Sequence, residues 1–147
     1  MTPDIRLSLV RFRFAPLIFK AHKMTNVINW FEIPAADFAR AMKFYSEVLD
    51  VEMKEMPSPD GKMKYGNFPY DQDGSVVSGG IVEMEGFEPT KAGPIIYLNG
   101  GDDLSIPLSR VEGAGGKVVM PKTPIEEMFM AEFIDTEGNR MRFHSMN

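Results

Sequence analysis

Two short runs carry the side chains with most chemical scope. In NWFEIP, Trp30, Glu32 and Pro34 alternate with Phe31 and Ile33; in RMRFHS, Arg140, Arg142 and His144 alternate with Met141 and Phe143. Side chains at i, i+2 and i+4 of a strand share one face, so each run presents its polar members together. Glu32 can accept hydrogen bonds or a proton, Arg142 can hold an anionic oxygen, and the His144 imidazole can donate or accept a hydrogen bond or a proton. The functional reading is a pocket that orients a small polar-aromatic ligand with charged groups and flat apolar walls, Trp30 and Tyr97 among them. Charge pairs are as often structural struts. Glu32 and His144 are the only candidates for proton transfer, and His144 has no carboxylate near it in sequence to orient it. Phe129 and Met130 follow EEM in what reads as a flexible loop; Phe129 is a further candidate ligand contact.

Several chemistries are excluded by inventory. The 147 residues contain no cysteine, which removes thiolate catalysis, disulfides and Cys-ligated zinc and is compatible with a cytoplasmic protein. No GxSxG elbow occurs, and two histidines, His22 and His144, leave little scope for a triad. Gly100-Gly101 and Gly115-Gly116 lack the pattern of a phosphate-cradling loop. The formal net charge of −5 gives no general attraction to nucleic acid or anionic membranes, so neither is an expected partner.

Composition changes at Met24. Residues 1–23 hold five basic residues against Asp4 alone, whereas Met24 onward holds 11 basic and 20 acidic residues, a formal −9. Arg11 and Arg13 interrupt the apolar part of this extension and no small-residue cleavage site follows, which disfavours export. An upstream start is the favoured reading of residues 1–23; an element that packs on a partner is the alternative.

The elements that would position the candidates follow from periodicity. Val27 to Ile33 reads as a strand stopped by Pro34. Phe38, Ala41, Met42, Tyr45, Val48 and Leu49 recur at helical spacing behind Asp37, a helix-starting residue. Strands are predicted at Val51–Met56, Met63–Phe68 and Ser75–Met84, separated by PSPDG and PYDQDG. After the linker GFEPTKAG the order repeats. A strand at Ile95–Asn99 precedes a helix with Leu104, Leu108, Val111 and Ala114 on one stripe, Asp103 mirroring Asp37 and Gly115-Gly116 ending it. Strands follow at Lys117–Met120, Phe129–Asp135 and Arg140–Ser145, with DTEGN turning the last hairpin. The chain therefore reads as α+β, two βαβββ modules (about 24–86 and 93–147) in a single domain at 24–147, their sheets curved around a cleft. Uncovered sheet faces and edges call for a homodimer.

From about Met24 to Asn147 the sequence resembles the vicinal oxygen chelate superfamily of glyoxalases, bleomycin resistance proteins and dioxygenases. The resemblance rests on NWFEIPAADFARAMKFYSEVLDVEM, on YLNGGDDLSIPLSRVEGAGGKVVMPKTPI and on FIDTEGNRMRFHS, in that order. It implies the fold more firmly than any reaction, because the scaffold hosts lyases, isomerases, dioxygenases and sequestering proteins. It also implies where metal ligands would stand. The first-strand ligand, seven residues before Asp37, falls on Trp30; the last-strand ligand, four residues after Gly138, falls on Arg142. The first ligand of module two falls near Pro94, Ile95 or Ile96, and for the fourth Glu83 is the nearest carboxylate. Indole and guanidinium cannot ligate a divalent ion, which needs several His or carboxylate donors. No cofactor is therefore expected, a displaced divalent metal being the alternative. Carried onto the family's register, Trp30, Glu32, Arg142 and His144 line one cleft, with Glu32 and Arg142 paired where the ion would lie. The expected function is binding of a small molecule in a metal-free cleft; the alternatives are a lyase or isomerase related to lactoylglutathione lyase, and a structural or regulatory dimer.

Overall fold

The computed structural model describes residues 26–73 and 75–147; residues 1–23, with the basic extension and His22, lie outside them. Module one comprises β1 (Trp30–Pro34), α1 (Phe38–Leu49), β2 (Lys54–Met56), β3 (Met63–Asn67) and β4 (Ser78–Met84). Module two comprises β5 (Ile96–Asn99), α2 (Ser105–Val111), β6 (Lys117–Ile125), β7 (Met128–Ile134) and β8 (Arg140–Ser145). Each forms a four-stranded mixed sheet of the same topology, β1-β4-β3-β2 and β5-β8-β7-β6, with one parallel and two antiparallel pairings. The expected α+β architecture of two βαβββ modules is present, as two sheets rather than one hydrogen-bonded whole.

The chemistry of α1 accounts for its place. Asp37 accepts from the backbone N–H of Arg40 at 3.0 Å, satisfying an orphan donor of the first turn. Phe38, Ala41, Phe44, Tyr45 and Val48 form its buried stripe, each large side chain contributing roughly 1.5–3 kcal/mol by leaving water. The helix approaches β3 so closely that a Cβ at Gly66 would stand 2.2 Å from Met42 Sδ. One core joins the modules: Ile33, Phe44, Tyr45 and Ile81 pack with Leu98, Phe133, Met141 and Phe143, and the Phe44 ring lies 6.1 Å from that of Phe133.

Several boundaries differ from the periodicity. β1 begins at Trp30, with Val27 and Ile28 exposed. It includes Pro34, tolerated because an edge strand leaves one side of the backbone unpaired. α2 is shorter than its apolar stripe suggests, and Asp103 does not repeat the part of Asp37. It lies one residue before the N-cap Leu104 and accepts from Ser105 N at 2.8 Å and Lys122 Nζ at 3.0 Å. β6 runs on through Pro121 and Pro124 as an edge strand, its irregular register with β7 absorbing the missing donors. The segment read as a flexible loop before Phe129 is instead the turn of the β6–β7 hairpin, with Ile125 opposite Met128 and Glu126 left-handed at φ 54°.

Candidate functional site

Alternation sorts every candidate by face. On β1, Phe31 and Ile33 join the core beneath the helices, so Trp30 and Glu32 point to the opposite, helix-free side. On β5 and β8, Ile96, Leu98, Met141 and Phe143 take the core side, leaving Tyr97, Arg142 and His144 helix-free. Phe31 and Ser78 share a cavity with Leu98 and Asn99, while Glu32 and Pro34 share another with Ile96 and Arg140. β1 and β5 thus lie near one another in opposite directions, at the boundary between the two separately hydrogen-bonded sheets.

Phe129 does not belong to this face. It alternates with Met130 and Glu132 on β7, packs against the core, and lies under Lys122 Nζ at 4.4 Å from its ring centre. Glu83 is likewise on the helix side: it accepts from the Phe38 backbone N–H at 2.7 Å and from Lys64 at 3.1 Å. Those two contacts, the α1 backbone first, hold its carboxyl below the usual range.

The expected Glu32–Arg142 pair does not form. Arg142 donates through Nε to Glu132 Oε2 at 2.7 Å and through Nη1 to the Tyr97 hydroxyl, and its guanidinium stacks over Tyr97. Glu132 also lies 2.9 Å from Arg140 Nε, so one carboxylate serves two arginines. Burial alone would raise the Glu132 pKa, but Arg142 and Arg140 together leave it lowered. Arg142 takes this partner because Glu132 stands directly opposite on the neighbouring strand. A cross-strand neighbour costs less ordering than a group on another sheet.

Glu32 has a different partner, Tyr65, a residue the sequence reading did not single out. The Tyr65 hydroxyl accepts from the Trp30 indole at 2.7 Å and donates to Glu32 Oε1 at 3.1 Å. Its ring crosses Gly80, where a Cβ would stand 2.5 Å from Tyr65 Cε1, so the absence of a side chain there gives the ring its place. Burial, more than the adjacent Glu32 charge, raises the phenol pKa, and the indole donor partly offsets it. Trp30 meets Tyr70 edge-on at 5.7 Å, and both line a cavity of about 500 Å³ with Ile28, Val76 and Val77. His144, Tyr97 and Asn99 line another of about 720 Å³ with Ile125, Met128, Met130 and Met146. Trp30 and Arg142 thus lie on the same helix-free side, but no single cavity among the described residues is lined by both.

The donor set does not fit a divalent ion. The carboxylates on this side are Glu32 and Glu132, the latter held by Arg140 and Arg142, and the β4 residues facing the same way as Glu32 are Ser78, Gly80 and Val82. Among the described residues no group of three or more His, Cys, Asp or Glu is placed to hold a metal.

The chain belongs to the Glyoxalase/Bleomycin resistance protein/Dioxygenase superfamily, whose sequence model matches residues 27–143. Among solved structures it is similar to a glyoxalase I mutant from Zea mays, with 19% identity and a TM-score of 0.65 over 79% of this chain and 45% of that one. It thus spans about half the length of the maize protein. It is also similar to glyoxalase I of Leishmania major (18% identity, TM-score 0.62, 82% of this chain and 87% of that one). A third similar structure is TnmS3, an antibiotic binding protein from Streptomyces sp. CB03234 (18%, TM-score 0.57, 83% and 97%). At these identities the likeness is one of fold. Comparison with curated protein sequences gave no match.

Proposed function

We propose that the helix-free face binds a small organic molecule without a metal, in a cytoplasmic homodimer whose partner copy covers part of the exposed apolar surface. The observation that carries this reading is the setting of Arg142. Its guanidinium is oriented by Glu132 and Tyr97, whose hydrogen bonds raise its pKa, and Nη2 has no protein partner among the described residues. A cation fixed in this way beside aromatic and methionine walls suits an anionic oxygen on a flat ligand. TnmS3 offers a precedent for binding on this fold. The half-exposed Tyr97, Ile125, Met128 and Met146 around one cavity, and Trp30, Tyr70, Val76 and Val77 around the other, supply apolar surface for a second copy. Among the described residues no helix is long and apolar enough to cross a membrane.

Native mass spectrometry and thermal-shift titration of the full chain with aromatic carboxylates test the reading. Binding that Arg142→Ala weakens about tenfold is expected; binding unchanged by that substitution removes Arg142 from the site. Sedimentation velocity tests the dimer. Metal analysis of the purified protein tests the alternative of a glyoxalase-related lyase or isomerase: tightly held stoichiometric metal would overturn the metal-free site.

A further inference from the structure

Beyond the Glu132–Arg142 pair, toward the β6–β7 turn, the face of module two changes character. Met130 stands directly opposite His144 across the β7–β8 ladder, and Met128, two residues earlier on β7, shares its face. Met146, just past the end of β8, lines the same cavity of about 720 Å³ as these three. Met130 is 9% exposed and forms the floor, whereas Met128 and Met146, 37% and 58% exposed, form the rim. Three thioethers and one imidazole therefore surround one hollow. Among the described residues the His144 ring nitrogens enter no hydrogen bond or ion pair. Its neighbour on β5, Asn99, turns its side-chain oxygen to the Gly101 backbone instead.

A wall for an apolar ligand gains nothing from an open imidazole, and a hard divalent ion needs carboxylates or several histidines. Neither description fits the set. Thioether sulfur is a soft, polarisable donor, and copper(I) is the ion that such ligands select. The spacing suits a single ion. Facing Cβ atoms on neighbouring strands lie about 5 Å apart and same-face residues along one strand about 7 Å, so an ion above the middle of the block is within reach of flexible methionine side chains and the ring. The surrounding charge agrees. Glu126 and Glu127, both exposed, occupy the turn beside Met128, while Arg142, two residues from His144 along β8, is turned to Glu132 and Tyr97.

We propose that Met128, Met130, Met146 and His144 form a site for one soft monovalent metal ion, copper(I), with silver(I) as its redox-stable counterpart. All four donors are neutral, so the ion keeps its charge and exchanges freely instead of staying tightly held through purification. The site is separate from the Trp30 and Arg142 positions, where a divalent ion lacks donors, and it does not rest on the small-molecule reading.

The test titrates the full chain, labelled with ¹³C-methyl methionine, with silver(I), and measures copper(I) affinity anaerobically against bicinchoninate. At one equivalent of silver the methyl signals of Met128, Met130 and Met146 and the His144 ring signals are expected to shift together, while those of the exposed Met56 and Met84 stay in place. Leucine conserves the volume of methionine. Met130→Leu, and Met128→Leu with Met146→Leu, are expected to weaken copper(I) at least about tenfold, since loss of even an outer-shell partner costs a metal site that much. Zinc is expected not to compete. Equal shifts at Met56 and Met84, no shift at one equivalent, or a copper(I) affinity that the leucine substitutions leave unchanged overturns the site. If Met130→Leu disturbs the core, the Met128→Leu and Met146→Leu pair at the rim decides.

Discussion

Two polar clusters in this protein draw on the same residue types and use them in opposite ways. Beneath the helices, the DTEGN hairpin closes on the start of α1. Asp135 Oδ1 accepts the backbone N–H groups of Glu137 and Asn139, both at 2.9 Å, and Oδ2 accepts the Tyr45 hydroxyl at 2.6 Å and Asn139 Nδ2 at 3.0 Å. Asn139 Nδ2 also reaches Pro34 O at 2.7 Å. Glu137, its side chain inaccessible, accepts from the backbone of Ala36 and Asp37 and from Arg40. The polar atoms there are satisfied either within the hairpin or across to module one, through Tyr45, Pro34, Ala36, Asp37 and Arg40. On the helix-free face, Glu32, Tyr65, Tyr97 and Arg142 keep open atoms and lie nearer solvent. A saturated cluster fixes architecture, whereas a partly satisfied one keeps capacity for a ligand.

The sharpest way to break this contrast is to reverse one group in the saturated cluster. Asp135→Asn keeps the shape but turns an NH2 toward two donors, so a loss of about 3 kcal/mol is expected. Urea denaturation reads it as a lower midpoint at unchanged slope. A loss no larger than that of Arg142→Gln would dissolve the distinction.

Acid titration sharpens it next. Burial alone would raise the Glu137 pKa, but donors from Arg40, the Asp37 backbone and Thr136 leave it lowered. A carboxyl whose folded pKa lies below its unfolded value adds stability above the unfolded value, about 4.3, and that contribution fades as pH falls through the folded one. Stability measured between pH 7 and pH 3 should therefore decline, and Glu137→Gln should flatten the decline more than Glu132→Gln does. Equal flattening would place the two carboxylates on the same footing.

Tyr45 gives a smaller effect. Burial first, then the neighbouring Asp135 charge, push its phenol well above 10. The folded protein favours the protonated form, so this contribution is whole below the unfolded pKa of about 10 and declines above it. Of four tyrosines, this one should resist ionisation in an alkaline absorbance titration until the chain unfolds. Tyr45→Phe should cost about 1–2 kcal/mol. Ionisation of all four together in folded protein would contradict the burial.

The contrast also explains what the sequence disclosed. The D-x-E-G-N hairpin and the A-D-F helix start were legible because each is a contiguous motif with a local cause, and they turn out to be the two halves of one clamp. The Arg142–Glu132 pair was equally legible in principle. A five-residue turn from Asp135 to Asn139 sets Ile134 opposite Arg140 and hence Glu132 opposite Arg142. Phe129 was misplaced although the strand expected from Phe129 to Asp135 already set its parity: it shares its face with Ala131 and Phe133, which pack in the core. Tyr65 was hidden for another reason. Its contact with Glu32 depends on the β3–β4 register across a connection of ten residues, 68–77, whose length no local pattern fixes.

The smallest expected stability change falls at Tyr65 itself, and it tests whether the helix-free face carries little structural duty. Tyr65→Phe removes one acceptor from the Trp30 indole and one donor from Glu32, both of which can turn to water, so stability should move by no more than about 0.5 kcal/mol. Trp30 is the sole tryptophan, and its emission reports this corner alone. Loss of the hydroxyl should shift that emission while the denaturation midpoint stays put. A destabilisation approaching that of Asp135→Asn would mean that the Trp30–Tyr65–Glu32 chain holds the fold together, and the division of labour between the two faces would fail at its most exposed point.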